Sequence, residues 1–284
     1  MAIAIVLILV AVGSVAFHIY SPWWWTEIAS NWNQIDLTVV ITFWITGIVF
    51  VALTLFVAYC VVKFRYSKNR RAEYKPENKK LELWLTILTS LGVIGMLAPG
   101  LWVWQQYVSP PPNADEVEIV GQQWQWSFRY PGQDGILGTT DANLVSFDNP
   151  FGINPTDPAG QDDILIEGDA LHLPLGRPVK FLLRSHDVLH NFFIPQFRAK
   201  MDLVPGMVTY FWITPTRTGE FEILCAELCG LGHHQMRGGI LIEEEDTFQT
   251  WLAEQQTFRQ IQQDARLHQN RPVKIATDAP AGKE

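Results

Sequence analysis

Residues 37–62, LTVVITFWITGIVFVALTLFVAYCVV, run for 26 positions without a charged side chain. Residues 83–108, LWLTILTSLGVIGMLAPGLWVWQQYV, do the same over another 26. About 20 apolar residues suffice for a helix to cross the hydrocarbon of a bilayer. Both runs exceed that length, so the sequence predicts two membrane-crossing helices rather than core helices. Between them lie Lys63, Arg65, Lys68, Arg70, Arg71, Lys75, Lys79 and Lys80, against only Glu73 and Glu77. Short basic connections stay on the cytoplasmic side. Residues 37–108 therefore read as a transmembrane hairpin, with everything after residue 108 on the outer face.

Working outward toward the N-terminus, MAIAIVLILVAVGSVAFHIY (1–20) is a third apolar stretch. A secretory signal carries basic residues at its start, and this stretch has none, so residues 1–25 are expected to be a retained, extra membrane helix. The other reading is a helix lying in the interface. SPWWWTEIASNWNQID (21–36) holds four Trp among polar residues. Trp favours the headgroup level, and residues 26–36 are expected along the membrane surface.

On the C-terminal side, SPPPNADE (109–116) reads as a stiff, extended linker. Residues 109–246 then form an outer domain. EVEIVGQQWQWSF alternates apolar and polar residues at period two. DILIEGDALHLPLGRPVKFLLRS offers two further strands around a turn, and TYFWITP, EFEIL and RGGILIEEE continue the series. Short strands broken by Gly, Pro and Asp predict an all-β sandwich or barrel. The Gly-, Pro-, Asn- and Asp-rich stretch 131–163 is too long for a hairpin loop. Its acids do not follow calcium-loop spacing, so it reads as a surface loop. Residues 247–284 read as a C-terminal helix followed by a polar tail, with Phe248, Leu252, Phe258 and Ile261 on one helical face over 246–265. From 115 to 246, 20 Asp and Glu stand against 8 Lys and Arg, a net −12 that outweighs the −8 of all 284 residues. Such a field repels phosphate and disfavours nucleic acid; it suits a basic partner steered by charge.

CAELCGLGHHQM (225–236) concentrates the chemistry. An outer, oxidising compartment permits a disulfide between Cys225 and Cys229. Zinc could take both cysteines, His233 and one more ligand. The three-residue spacer departs from C-x-x-C redox motifs, and C-x-x-C-H for covalent haem occurs nowhere. Copper accounts for more of the residues, because electron-transfer copper takes thiolate, imidazole and a weak thioether or carbonyl donor. The loop offers Cys225, Cys229, His233 and Met236, and SHDVLHNFFIP offers His186 or His190. Two thiolates can also bridge two coppers, so that a shared electron changes the geometry of each metal little.

SHDVLHNFFIP, AKMDLVPGMVTYFWITPTRTGEFEILCAELCGLGHHQM, GQQWQWSFRYP and LELWLTIL with LAPGL together resemble subunit 2 of haem–copper cytochrome c oxidases over about residues 37–245. The resemblance implies a cupredoxin-like Greek-key barrel behind a two-helix anchor. It implies a dinuclear copper A centre. Cys225 and Cys229 match the bridging thiolates, and His190 and Met236 the other ligands of one copper. His233 and the carbonyl of Glu227 match those of the second. The Glu227 carboxylate matches a ligand to Mg2+ shared with the catalytic subunit. Asp187 matches a residue that orients the site, and Trp124 the surface aromatic through which a cytochrome c delivers electrons. Trp124 and Trp126, two apart, are expected on one strand face. Glu82 resembles the carboxylate at the mouth of the K-type proton channel, although Trp84 and Thr89 depart from the family pattern. A helix N-terminal Glu favoured by the helix dipole is the alternative.

The implied function is that of the electron-accepting subunit of a cytochrome c oxidase. It would take electrons from cytochrome c, or a membrane-bound c-type cytochrome, and pass them to haem in oxidase subunit 1, where oxygen is reduced and protons are pumped. The implied location is the inner (plasma) membrane, with the copper domain periplasmic. Two other readings stand beside it: the copper A subunit of a nitric oxide reductase, and a membrane-anchored thiol or copper-delivery protein.

Overall fold

The structure, a computed structural model, describes residues 1–21, 26–71, 73–74, 76–146 and 149–269. The adjacent Trp23, Trp24 and Trp25, and the polar tail beyond residue 269, lie outside the described residues. The chain divides into a mainly helical unit, Met1–Pro110 with Pro195–Ala199, and a β-rich unit, Pro111–Ile194 with Lys200–Glu284.

The helical unit contains α1 (Ala2–Tyr20), α2 (Asn33–Lys63) and α3 (Lys79–Tyr107), each long and apolar enough to cross a membrane. At 1.5 Å per residue, the 19 residues of α1 span about 28 Å, close to the hydrocarbon thickness. Large apolar side chains such as Leu53, Phe56, Leu88 and Leu91 point outward, as suits helices solvated by lipid. Threonines within these helices hide their polarity. Thr42, Thr46, Thr86 and Thr89 each donate to the carbonyl four residues back, at 2.7–2.9 Å, so these four hydroxyls need no partner from lipid. The His18 ring of α1 meets Phe43 of α2 with centroids 5.7 Å apart. Cys60 is half-buried in the last turn of α2, which ends at Lys63.

The β-rich unit is a sandwich. Its strands are β1 (Asp115–Gln122), β2 (Gln125–Tyr130), β3 (Ile164–Glu167), β4 (Leu171–Pro174), β5 (Val179–Ser185), β6 (His190–Ile194), β7 (Ala199–Leu203), β8 (Thr209–Ile213), β9 (Gly219–Cys225) and β10 (Arg237–Glu243). One sheet runs β3-β2-β1-β5-β8 and the other β4-β10-β9-β6-β7. Pairings β1–β5 and β4–β10 are parallel, as expected where consecutive strands change sheets. Phe181 of β5 and Phe211 of β8 meet Phe192 of β6 across the sandwich, at centroid distances of 5.9 and 6.3 Å. Such ring contacts add to the apolar area they bury.

Two sequence expectations change here. The alternation in β1 does not mark a solvated face: Val117, Glu118, Ile119 and Val120 are all buried. The 131–163 stretch folds over the polar face, and Glu118 is paired with Arg129 and Arg184 beneath it. The helix expected over 246–265 is two helices, α4 (Glu245–Glu254) and α5 (Phe258–Gln269). The break exists because Thr257 bridges to Ile164 and the Phe258 amide donates to Asp163 O at 2.8 Å. This seats the Phe258 ring with Val120, Phe151 and Ile153.

Candidate metal centre

Strand pairing assembles the centre from distant segments. Phe192 of β6 pairs with Cys225 of β9, and Leu224 of β9 with Arg237 of β10. His190 opens β6, Cys225 closes β9 and Met236 precedes β10, so the three meet at one end of one sheet. The Cys225 amide donates to Met236 O at 3.2 Å, and the Ala226 amide to Asn191 O at 3.0 Å. A short 3-10 turn over His233–Gln235 then carries His233 back toward Cys229.

The resulting contacts are close. Cys225 Sγ lies 3.7 Å from Cys229 Sγ, 3.9 Å from His190 Nδ1 and 3.2 Å from the Glu227 carbonyl oxygen. Cys229 Sγ lies 3.6 Å from His233 Nδ1 and 3.8 Å from Met236 Sδ. The ligand atoms of His190, Cys225 and Cys229 all fall within 4.8 Å of one another. A disulfide needs about 2.05 Å between sulfurs, so these are two free thiols. Each sulfur thus has the other sulfur, one imidazole nitrogen and one weak donor against it. His190, Cys229 and Met236 are buried. Thiol, imidazole and thioether donors are soft and suit copper far better than calcium or magnesium. Six donors also exceed the four of a closed zinc tetrahedron. The residues fit copper.

Asp187 sets the ring of His190. Its Oδ1 lies 2.8 Å from Nε2, and its other oxygen accepts from the Gln123 amide at 2.7 Å. The carboxylate thereby fixes the Nε2–H tautomer and leaves Nδ1 free to ligate. Burial opposes ionisation of Asp187, but bonds from His190, Gln123 and Val188 outweigh it and hold the carboxyl below its usual range. Burial would likewise lower His190, yet bonding to Cys225 and Asp187 raises it. Burial resists ionising both thiols. At Cys225, bonds to His190 and the backbone win and bring it down to about 6. Burial and the neighbouring Cys225 push Cys229 up to about 12. One proton leaves this pair readily; a bound cation displaces the second.

Of the other sequence-expected residues, His234 is exposed, and His186 turns its Nε2 to Pro150 O at 2.5 Å. Neither reaches the cluster. Trp124 and Trp126 do not share a strand face, because Gln123 and Trp124 form the turn between β1 and β2. Trp126 is buried with its ring 6.3 Å from His190, while Trp124 is 42 % exposed. Glu82 belongs to the helical unit. Its carboxylate accepts from the amide of the cap residue Asn78 at 3.4 Å, while Asn78 Oδ1 accepts from Leu81 N at 3.1 Å, a reciprocal helix cap. Sequence reading passed over Gln123. Its side-chain amide donates to Cys229 O at 2.7 Å while its backbone serves Asp187, and no motif signals that double role.

A chain with three apolar helices and a β-sandwich ending in a bowl of soft donors is a membrane-anchored, cupredoxin-like protein with a site suited to copper. The family model for the periplasmic domain of cytochrome c oxidase subunit II matches residues 116–244. The chain is 62 % identical over 258 residues to an alternative cytochrome c oxidase subunit 2 of Bradyrhizobium diazoefficiens, covering 91 % of this chain and 93 % of that one. It is 29 % identical over 230 residues to cytochrome c oxidase subunit 2 of Cereibacter sphaeroides, covering 74 % of each. The solved periplasmic domain of cytochrome oxidase subunit II of Bradyrhizobium japonicum is 25 % identical, with a TM-score of 0.38, and the match covers 51 % of this chain and 95 % of that one. The chain belongs to the cytochrome c oxidase subunit 2 family, a component of the haem–copper oxidase complex.

Proposed function

We propose that this chain is the electron-accepting subunit of a cytochrome c oxidase and that its donor cluster holds a dinuclear copper A centre. The observation that carries the reading is the pairing of two free thiols 3.7 Å apart, each with its own imidazole and its own weak donor. Cys225 and Cys229 bridge; His190 and Met236 complete one copper, His233 and the Glu227 carbonyl the other. When bound, the copper pair supplies a one-electron carrier whose charge change is shared between two metals. Asp187 keeps His190 in its ligating tautomer, and buried Trp126 and Met236 keep water from the sulfurs. Trp124, half-exposed beside the loop, takes the electron from a c-type cytochrome, and the electron leaves to haem in the catalytic subunit. The Glu227 carboxylate takes Mg2+ at that subunit's surface.

In this reading α2 and α3 form a transmembrane hairpin (37–108) and α1 is an extra span (1–25), with residues 26–36 interfacial. The sandwich (109–246) is a Greek-key barrel on the periplasmic face of the inner membrane, followed by the C-terminal helices and tail (247–284). Glu82 keeps a second proposed role at a proton-channel mouth, besides capping α3.

The test uses the full chain purified within its complex. Copper loading should give the seven-line electron spin resonance pattern of an electron shared by two coppers, and Cys229→Ser should abolish it. A zinc-loaded or disulfide-bonded product would overturn the proposal. Trp124→Phe should slow electron uptake and leave the resonance unchanged.

A further inference from the structure

We propose that Gly232 is a positioning residue for electron uptake, its missing side chain forming the seat on which the Trp124 indole rests; this builds on the role of Trp124 proposed above. A Cβ built at Gly232 would lie 2.4 Å from Trp124 Cδ2, 2.7 Å from Cγ and 2.8 Å from Cε2. These are three atoms of the indole itself, all at distances a real Cβ does not adopt. The indole therefore lies flat on the backbone one residue before His233 and three after Cys229.

The backbone at Gly232 does not itself demand glycine. Its φ of −88° and ψ of 9° suit any L-residue. Gly230 makes the contrast, since its φ of +120° is one that side-chain-bearing residues rarely adopt. Glycine at 230 answers to the chain and also to Gln123 Nε2, 2.8 Å from a Cβ built there; glycine at 232 answers to Trp124. The seat is fastened from the other side as well, because the Gln123 side chain, next to Trp124, donates to Cys229 O at 2.7 Å. Trp124 nevertheless keeps 42 % of its surface exposed. One part of the ring touches backbone that carries two of the donors, and the rest meets solvent, where a partner can reach it. Moving the ring off this seat lengthens the path to both Cys229 and His233 without altering either donor.

The experiment compares Gly232→Ala, Trp124→Phe, Trp124→Ala and the double variant Gly232→Ala with Trp124→Ala in the copper-loaded oxidase complex, reading both the copper resonance and the rate of electron uptake from a reduced c-type cytochrome. Gly232→Ala should slow uptake several-fold with the resonance unchanged. In a Trp124→Ala background, which removes the ring atoms that the new methyl would strike, the same substitution should add no further slowing. Unchanged uptake in Gly232→Ala, with Trp124→Phe slow, would overturn the positioning role and leave Trp124 standing. Normal uptake in Trp124→Phe would remove the role of Trp124, and this inference with it. A disturbed resonance with equal slowing in both backgrounds would assign Gly232 to the ligand loop instead. Should Gly232→Ala fail to assemble, assembly of the double variant supports the clash with the indole, and failure of both refutes it.

Discussion

The β-rich unit contains two long irregular segments, and they are held in opposite ways. The 131–163 insert is held by side chains of the sandwich and of α5. Arg129 Nη1 donates to Gly138 O at 2.9 Å and to Asp163 Oδ2 at 2.6 Å, and Arg184 Nη2 donates to Phe151 O at 2.8 Å. Phe151 and Ile153 are fully buried against Val120 and Phe258. The ligand loop, residues 226–236, turns Leu228 and Leu231 to solvent at 76 % and 93 % exposure. Its inner face consists of sulfur, nitrogen and carbonyl donors 3.2–3.9 Å apart, and sulfur makes only weak hydrogen bonds. The insert is held by the protein's own side chains; under the proposed function, the loop draws its cohesion from what its donors bind.

The comparison breaks most decisively at Arg129. Arg129→Ala leaves Glu118 short of a partner and Asp163 buried and unpaired, and removing one member of a buried ion pair costs about 3–5 kcal/mol. Thermal unfolding of the full chain should fall accordingly, with the insert becoming open to protease; an unshifted transition would show the insert is held by its rings alone. Copper comes next. At a hundredfold excess over its Kd a ligand of the folded state stabilises by about 2.7 kcal/mol. Chelation should therefore raise amide exchange at residues 226–236 and leave the insert protected; equal exchange in both would erase the distinction.

A smaller effect concerns pH. Burial pushes the Asp163 carboxyl up to about 6 even though Arg129 opposes it. A carboxyl raised on folding contributes stability that is full below its unfolded value and is lost as pH rises through the folded one. Between roughly pH 4 and pH 6 the chain should lose on the order of 1–2 kcal/mol from this group. Asp163→Asn should flatten that part of the melting-temperature profile; an unaltered slope would assign it to another group. Least of all, Leu231→Ser should change stability by less than about 0.5 kcal/mol, as exposed positions do. A larger drop in melting temperature would mean that the loop packs more than its exposure indicates.

Legibility followed the same division. The three helices were plain in sequence because lipid demands long charge-free runs, a one-dimensional signal. Most strands are readable from alternation, but β6 and β7 are not, and the stretch DILIEGDALHLPLGRPVKFLLRS, expected to hold two strands, holds three, β3, β4 and β5. HNFFI is buried on both faces of its strand, so it shows no period of two. The insert looked like an ordinary loop because its anchor, Arg129, lies outside it and its partners Glu118 and Phe258 lie far along the chain. Donor chemistry singles out Cys225, Cys229, His233 and Met236 in the loop, whereas Glu227 and the choice of His190 come through family resemblance. Spacing alone leaves a disulfide and zinc open, and does not decide between His186 and His190. Gln123 and Gly232 were invisible, since their parts depend on a turn and a ring contact that no local pattern encodes.

The register that sets Phe192 beside Cys225 has a consequence for biogenesis. The proposed donors span residues 190 to 236 and converge only when β6, β9 and β10 have paired. During synthesis the two thiols thus emerge after their first imidazole but before the second imidazole and the thioether. For that interval the cysteines are exposed, unpaired and oxidisable. Under the proposed function, copper loading follows closure of the sheet, and the thiols must stay reduced until that moment.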